Sequence, residues 1–151
     1  QNGIEAAQLI RAILGQTRDL NSLLHEAFDH ERDVKWKQEG EQYEVDVKLP
    51  DNRNQRVYIT HSEHKFHERL LQIYSVCCPA EDHYFPAALR LNAMLSHGAL
   101  ALKEIDGEEH FVISNAYPRS TVDGEEIRRS VLEIASHADA VELLLTGKDD
   151  H

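Results

Sequence analysis

The sequence predicts an α+β domain, with helices in separate blocks around an antiparallel sheet of about five strands. Three observations carry this. Tyr43, Val45, Val47 and Leu49 alternate with Glu44, Asp46 and Lys48, the period of a strand with one wet face and one buried face. Asp106-Gly107 separates two apolar runs, a strong hairpin signal. Ile127, Val131, Ile134, Ala138, Val141 and Leu145 recur every three or four residues, which places them on one helix face.

Taken in order, Ile4, Ala7, Ile10, Ile13 and Leu14 are spaced for a first helix. Beyond Gly15, Thr17 is placed to cap a second helix that buries Leu20, Leu23, Leu24, Ala27 and Phe28. Val34 and Trp36 alternate with Lys35 and Lys37 in a short strand, and Gly40-Glu41 separates it from the strand at 43–49. The cluster 50–54 (Pro-Asp-Asn-Arg-Asn) is a turn, and Val57 and Ile59 begin the returning strand. Leu70 to Cys78 is apolar on both faces and reads as a central strand, stopped by Pro79. Asp82 is placed to cap a helix over about residues 83–96, with Pro86 in its first turn. The hairpin follows, with strands over Ala99 to Ile105 and His110 to Tyr117. Asp123 and Glu126 then form a capping-box pattern ahead of the last helix, whose stripe spans about 28 Å at 1.5 Å per residue. The predicted order is α(α)-β-β-β(β)-α-β-β-α, in one domain over residues 1–151.

Sixteen basic residues stand against 27 acidic ones, a net charge of −11. Nucleic acid and anionic membranes are bound by neutralising phosphates with Lys and Arg, so neither is an expected partner. No signal peptide or membrane-length apolar run is evident, and the two cysteines, Cys77 and Cys78, form no disulfide framework or zinc spacing. These features suit the cytoplasm. Adjacent strand residues point to opposite faces, so the two thiols are not expected to act as one unit.

Two constellations have chemical potential. His61, His64 and His67, with Glu63 and Glu68, have donor types suited to zinc or nickel, but the segment reads as a polar connection without a rigid scaffold. A metal-dependent enzyme built on it is the alternative from another class. Cys77 or Cys78 with His83 and Glu81 has the composition of a Cys–His pair, but these thiols end a buried strand among acidic residues, the wrong setting for a thiolate. Dinucleotide, P-loop, zincin and nucleophile-elbow patterns are absent. No enzyme activity and no cofactor are therefore expected. The remaining resource is apolar surface. Val57, Ile59, Leu70, Tyr74 and Val76 on the sheet, with Leu91 and Leu95 on the helix, are the candidate partner-binding residues.

The run Leu89-Arg90-Leu91-Asn92, then Gly98-Ala99-Leu100-Ala101-Leu102, Asp106-Gly107, Tyr117-Pro118 and Ala138-Asp139 resembles the C-terminal half of type III secretion chaperone-like proteins, including the YbjN type. The resemblance implies an acidic, non-catalytic domain, often a homodimer, that holds a protein client through apolar surface. YbjN-type relatives imply a regulatory role without export. The helix before residue 20 and the histidine-rich segment depart from the family pattern.

Overall fold

The computed structural model describes residues 19–63 and 69–147, together with Glu5, Ala6 and Leu9, which are helical. The remainder of the first predicted helix, Thr17, His64, His67 and Glu68 lie outside the described residues. Helix α1 spans Leu20–Phe28 and buries the five apolar residues its spacing predicts. Its cap is Asp19, whose side chain accepts the Ser22 N–H at 2.7 Å. The helix thus starts later than a Thr17 cap would place it.

Four strands follow as a meander: β1 Val34–Glu39, β2 Gln42–Leu49, β3 Arg53–Glu63 and β4 Arg69–Pro79. A short 3₁₀ turn, Asp82–Tyr84, leads into α2, Phe85–Met94. Strands β5, Ala99–Ile105, and β6, Glu108–Pro118, form the hairpin, and α3, Gly124–Thr146, closes the chain. The sheet has six antiparallel strands in the order β1-β2-β3-β4-β6-β5, one more than the sequence suggests. The excursion through α2 lets β6 return beside β4 and leaves β5 at one edge, with β1 at the other.

Register fixes the two faces. Val45 pairs with Val57, Ile59 with Ile73, and Ser75 with Ile113, and these six residues are fully buried on one face. Helix α3 lies across β3, β4 and β6 on that face and packs against α1. Ile127 and Val131 of α3 are fully buried there; each such side chain contributes about 1.5–3 kcal/mol of transfer free energy. The predicted capping box is present, with Asp123 accepting the Glu126 N–H and Glu126 accepting the Asp123 N–H. Arg53 at the start of β3 reaches Asp139 of α3 at 3.0 Å, and Arg128 ties α3 to Glu31 at 3.0 Å.

Three local expectations change. The α2 segment is shorter than 83–96, and Asp82 begins a 3₁₀ turn, while α2 itself has no side-chain cap at its start. Strand β3 continues through His61-Ser62-Glu63, because Thr60, His61 and Ser62 pair with Gln72, Leu71 and Leu70 of β4. Its register shifts between Val76 and Cys78, where Val76 pairs with Val112 and Cys78 with Phe111. This bulge leaves Cys77 without an opposite residue and buries both thiols, so the alternation expected of them fails there.

Candidate functional site

Helix burial leaves two surfaces that bear apolar groups. The first is the helix-free face of the sheet. There Tyr58 stacks on Tyr74 with ring centroids 5.1 Å apart, and the Lys103 ammonium lies 5.0 Å from the Tyr74 ring centroid. Leu70 and Val76 are half-buried on the same face, and Val112 is buried there opposite Val76. Towards β1 the face becomes charged: Arg56 contacts Asp46 at 2.8 Å and Glu44 at 3.1 Å, with Lys37 at 3.8 Å from Glu44. Opposite charges are matched across this ladder.

The second surface lies where α2 crosses edge strand β5. Asn92 near the end of α2 accepts the Leu100 N–H at 2.9 Å and fastens the helix to the strand. Phe85 meets Phe111 edge to face at 5.6 Å. Between helix and strand is an open groove of about 200 Å³ lined by Phe85, Ala88, Leu89, Leu100, Leu102 and Phe111. Leu89 is 70% exposed, Met94 80% and Leu102 50%. Leu89 and Leu102, two large apolar side chains in water on the groove itself, form a patch of the kind that marks contact surfaces, while Met94 is exposed away from the groove lining.

The candidate residues divide accordingly. Leu70, Tyr74 and Val76 lie on the accessible sheet face, as the alternation suggests. Val57 and Ile59 do not: both are fully buried beneath α3, on the opposite face from Tyr58 and Tyr74. Leu91 and Leu95 are half-buried and pack towards the core, so the outward side of α2 carries Leu89 and Met94 instead. Sequence reasoning missed Leu89, Met94 and Leu102. The available signal was that α2 is apolar on more than one side.

The chemical candidates separate as well. His61 is in β3 opposite Leu71, where burial, reinforced by the Arg69 and Arg119 charges, holds its imidazole below the usual range. His64 and His67 fall outside the described residues, and among those described no group of three His, Cys, Asp or Glu side chains is gathered to hold a metal. Burial pushes the Cys77 thiol up to about 12 and the Cys78 thiol up to about 11, with Glu142 adding to both. A nucleophilic thiol requires the opposite shift.

That shift has a measurable consequence. Both thiols are neutral at pH 8, and labelling by a thiol-disulfide reagent in native conditions is expected to be slow and to match the rate of opening; fast labelling of either would remove the buried assignment. The sign with pH follows from proton binding. Unfolded thiols titrate near 9, so the folded state binds more protons above that pH. This part of the stability is fully present below pH 9 and is lost as pH rises through 11–12.

No family model and no curated protein matches the chain. Among solved structures, it is similar to a chain of the HopA1–SchA chaperone–effector complex, with a TM-score of 0.54 and 12% identity. The match covers 81% of this chain and 91% of that one. At this identity the likeness shows the fold alone: α+β, with helices on one face of a six-stranded antiparallel sheet. No helix among the described residues is long and apolar enough to cross a membrane.

Proposed function

We propose that this chain is a non-enzymatic, chaperone-like domain that holds a protein partner by covering apolar side chains. The observation that carries the reading is the α2–β5 groove, where Leu89 and Leu102 stand in water at the open edge of the sheet. The fold shared with a chain of a chaperone–effector complex supports it. The accessible part of the sheet face, Leu70, Tyr74 and Val76, supplies a second apolar area on the opposite side. The mechanism is burial: a partner segment loses its contact with water to these groups, and the acidic surroundings select against acidic competitors. The partner's own role decides between an export chaperone and a YbjN-type regulator.

The reading includes self-association into a homodimer. Light scattering after size exclusion across a dilution series is expected to give twice the chain mass at every concentration, and a monomer throughout removes the dimer. The holding function is tested separately, with a photo-crosslinking residue placed at position 89, 74 or, as a control, 133 on the exposed side of α3. Crosslinks in cells to a polypeptide other than a second copy of this chain, at 89 or 74 and well above the control, support holding. Crosslinks no stronger than the control at both positions sink it.

A further inference from the structure

The helix-free face of the sheet carries a recess of its own, on the other side of β5 from the groove. It is a cleft of about 350 Å³ that crosses β3, β4, β6 and β5, within the size range of small-molecule sites. Register sets its walls. Thr60 stands opposite Gln72, Tyr74 opposite Ser114, and Val112 opposite Ala101, and these side chains share the face that α3 leaves open. Ala101 and the buried Val112 give an apolar floor. Tyr74, braced by its stack on Tyr58, gives one wall.

The polar groups of this cleft are mostly donors. Lys103 lays its ammonium 5.0 Å from the Tyr74 ring centroid and has no ion-pair partner among the described residues. A ring face attracts the charge but gives its three N–H groups no oxygen to donate to. Gln72 accepts from the Ser62 hydroxyl at 3.2 Å through its oxygen, which leaves its amide nitrogen to donate. The Thr60 and Ser114 hydroxyls have no side-chain partner among the described residues. No Asp or Glu lines the cleft, although the chain has 27 acidic residues against 16 basic ones. Ammonium, amide and hydroxyl donors gathered without a competing carboxylate suit an oxyanion, whose charge strengthens the hydrogen bonds it accepts. The apolar floor and the hydroxyls on either side of it match a larger body than a bare ion.

We infer that this cleft binds a small hydroxylated carboxylate, of the sugar-acid class. The carboxylate meets the Lys103 ammonium beside Tyr74. The ligand hydroxyls exchange hydrogen bonds with Thr60, Gln72 and Ser114, and the C–H side of its ring lies on Val112 and Ala101. The net charge of −11 repels anions at long range, so selectivity comes from these contacts and not from steering. The site goes beyond the protein-holding reading and does not rest on it.

The test titrates the ¹⁵N-labelled full chain with glucuronate, glucose and acetate. Glucuronate is expected to shift the amide resonances of Gln72, Lys103 and Ser114. It should bind about five-fold more tightly than glucose, the scale of one exposed ion pair. Acetate has the charge without the hydroxyls, and should also bind about five-fold more weakly. Lys103→Met keeps the length of the side chain and should lower glucuronate binding to the level of glucose. Lys48→Met, an equal loss of charge in β2, should leave glucuronate binding unchanged. Absence of shifts at the three amides, equal binding of glucuronate and glucose, or a preference that survives Lys103→Met each overturns the proposal. Equal binding of glucuronate and acetate overturns it as well, because the cleft then takes only a bare carboxylate. The holding function is read from crosslinking at position 89, so it stands or falls apart from this site.

Discussion

Replacing Ile73 by Ala is expected to cost about 3–4 kcal/mol, whereas replacing its neighbour Tyr74 by Ala should cost about 1–2 kcal/mol and leave the fold intact. Ile73 is fully buried in β4, between Ile59 of β3 and Asn115 of β6 and on the face that α3 covers. The helix and strands around it cannot close over the missing methylenes, so transfer and cavity terms add. Tyr74 points to the helix-free face, where it is half-buried, stacks on Tyr58 and lies under Lys103. Its removal forfeits those ring contacts and opens no enclosed cavity. Urea unfolding of both variants checks the contrast. At this chain length about 3 kcal/mol corresponds to a fall in Tm of about 6–12 °C. Equal losses at 73 and 74 would mean that both sheet faces are covered, and would remove the helix-free face from any binding role.

The sequence reading succeeded where local chemistry and the final environment agree. The alternation in β2, Asp106-Gly107 with both residues at positive φ, and the Asp123/Glu126 capping box each specify their element without distant contacts. It failed where the deciding partner is far along the chain. His61-Ser62-Glu63 is polar enough to read as a connection, but its backbone pairs with Arg69-Leu70-Leu71. The Cys77 bulge depends on how β4 meets β6, about 35 residues later, and no local residue signals it. For the site, alternation separated Val57 and Ile59 from Tyr58, but it could not say which face α3 would cover. Helix α2 shows the same limit. Its apolar residues fall on more than one side: Leu91 and Leu95 pack on the core and Asn92 ties the helix to Leu100, leaving Leu89 and Met94 in water.

Gly98→Ala is expected to cost about 2–3 kcal/mol and to weaken partner binding, while Gly147→Ala should cost about 1 kcal/mol and leave binding unchanged. Both glycines are left-handed, with φ of +76° and +62°, so each alanine incurs the conformational penalty. Their surroundings differ. A Cβ at Gly147 meets nothing within 4 Å, but one at Gly98 would stand 3.0 Å from the Ser114 backbone oxygen. Ser114 pairs with Tyr74 of β4 and with Ala99 of β5, so its carbonyl cannot withdraw without disturbing the sheet. The chain at Gly98 must move instead, and it lies between Asn92 and Leu100, the contact that fixes α2 to β5. Relaxing this junction changes the width of the groove and the placement of Leu102. Denaturation of the two variants and photo-crosslinking from position 89 in each separate these effects. A Gly98→Ala variant no weaker than Gly147→Ala would show that the approach to Ser114 is slack. A destabilised Gly98→Ala variant with unaltered binding would place the partner surface away from α2 and β5.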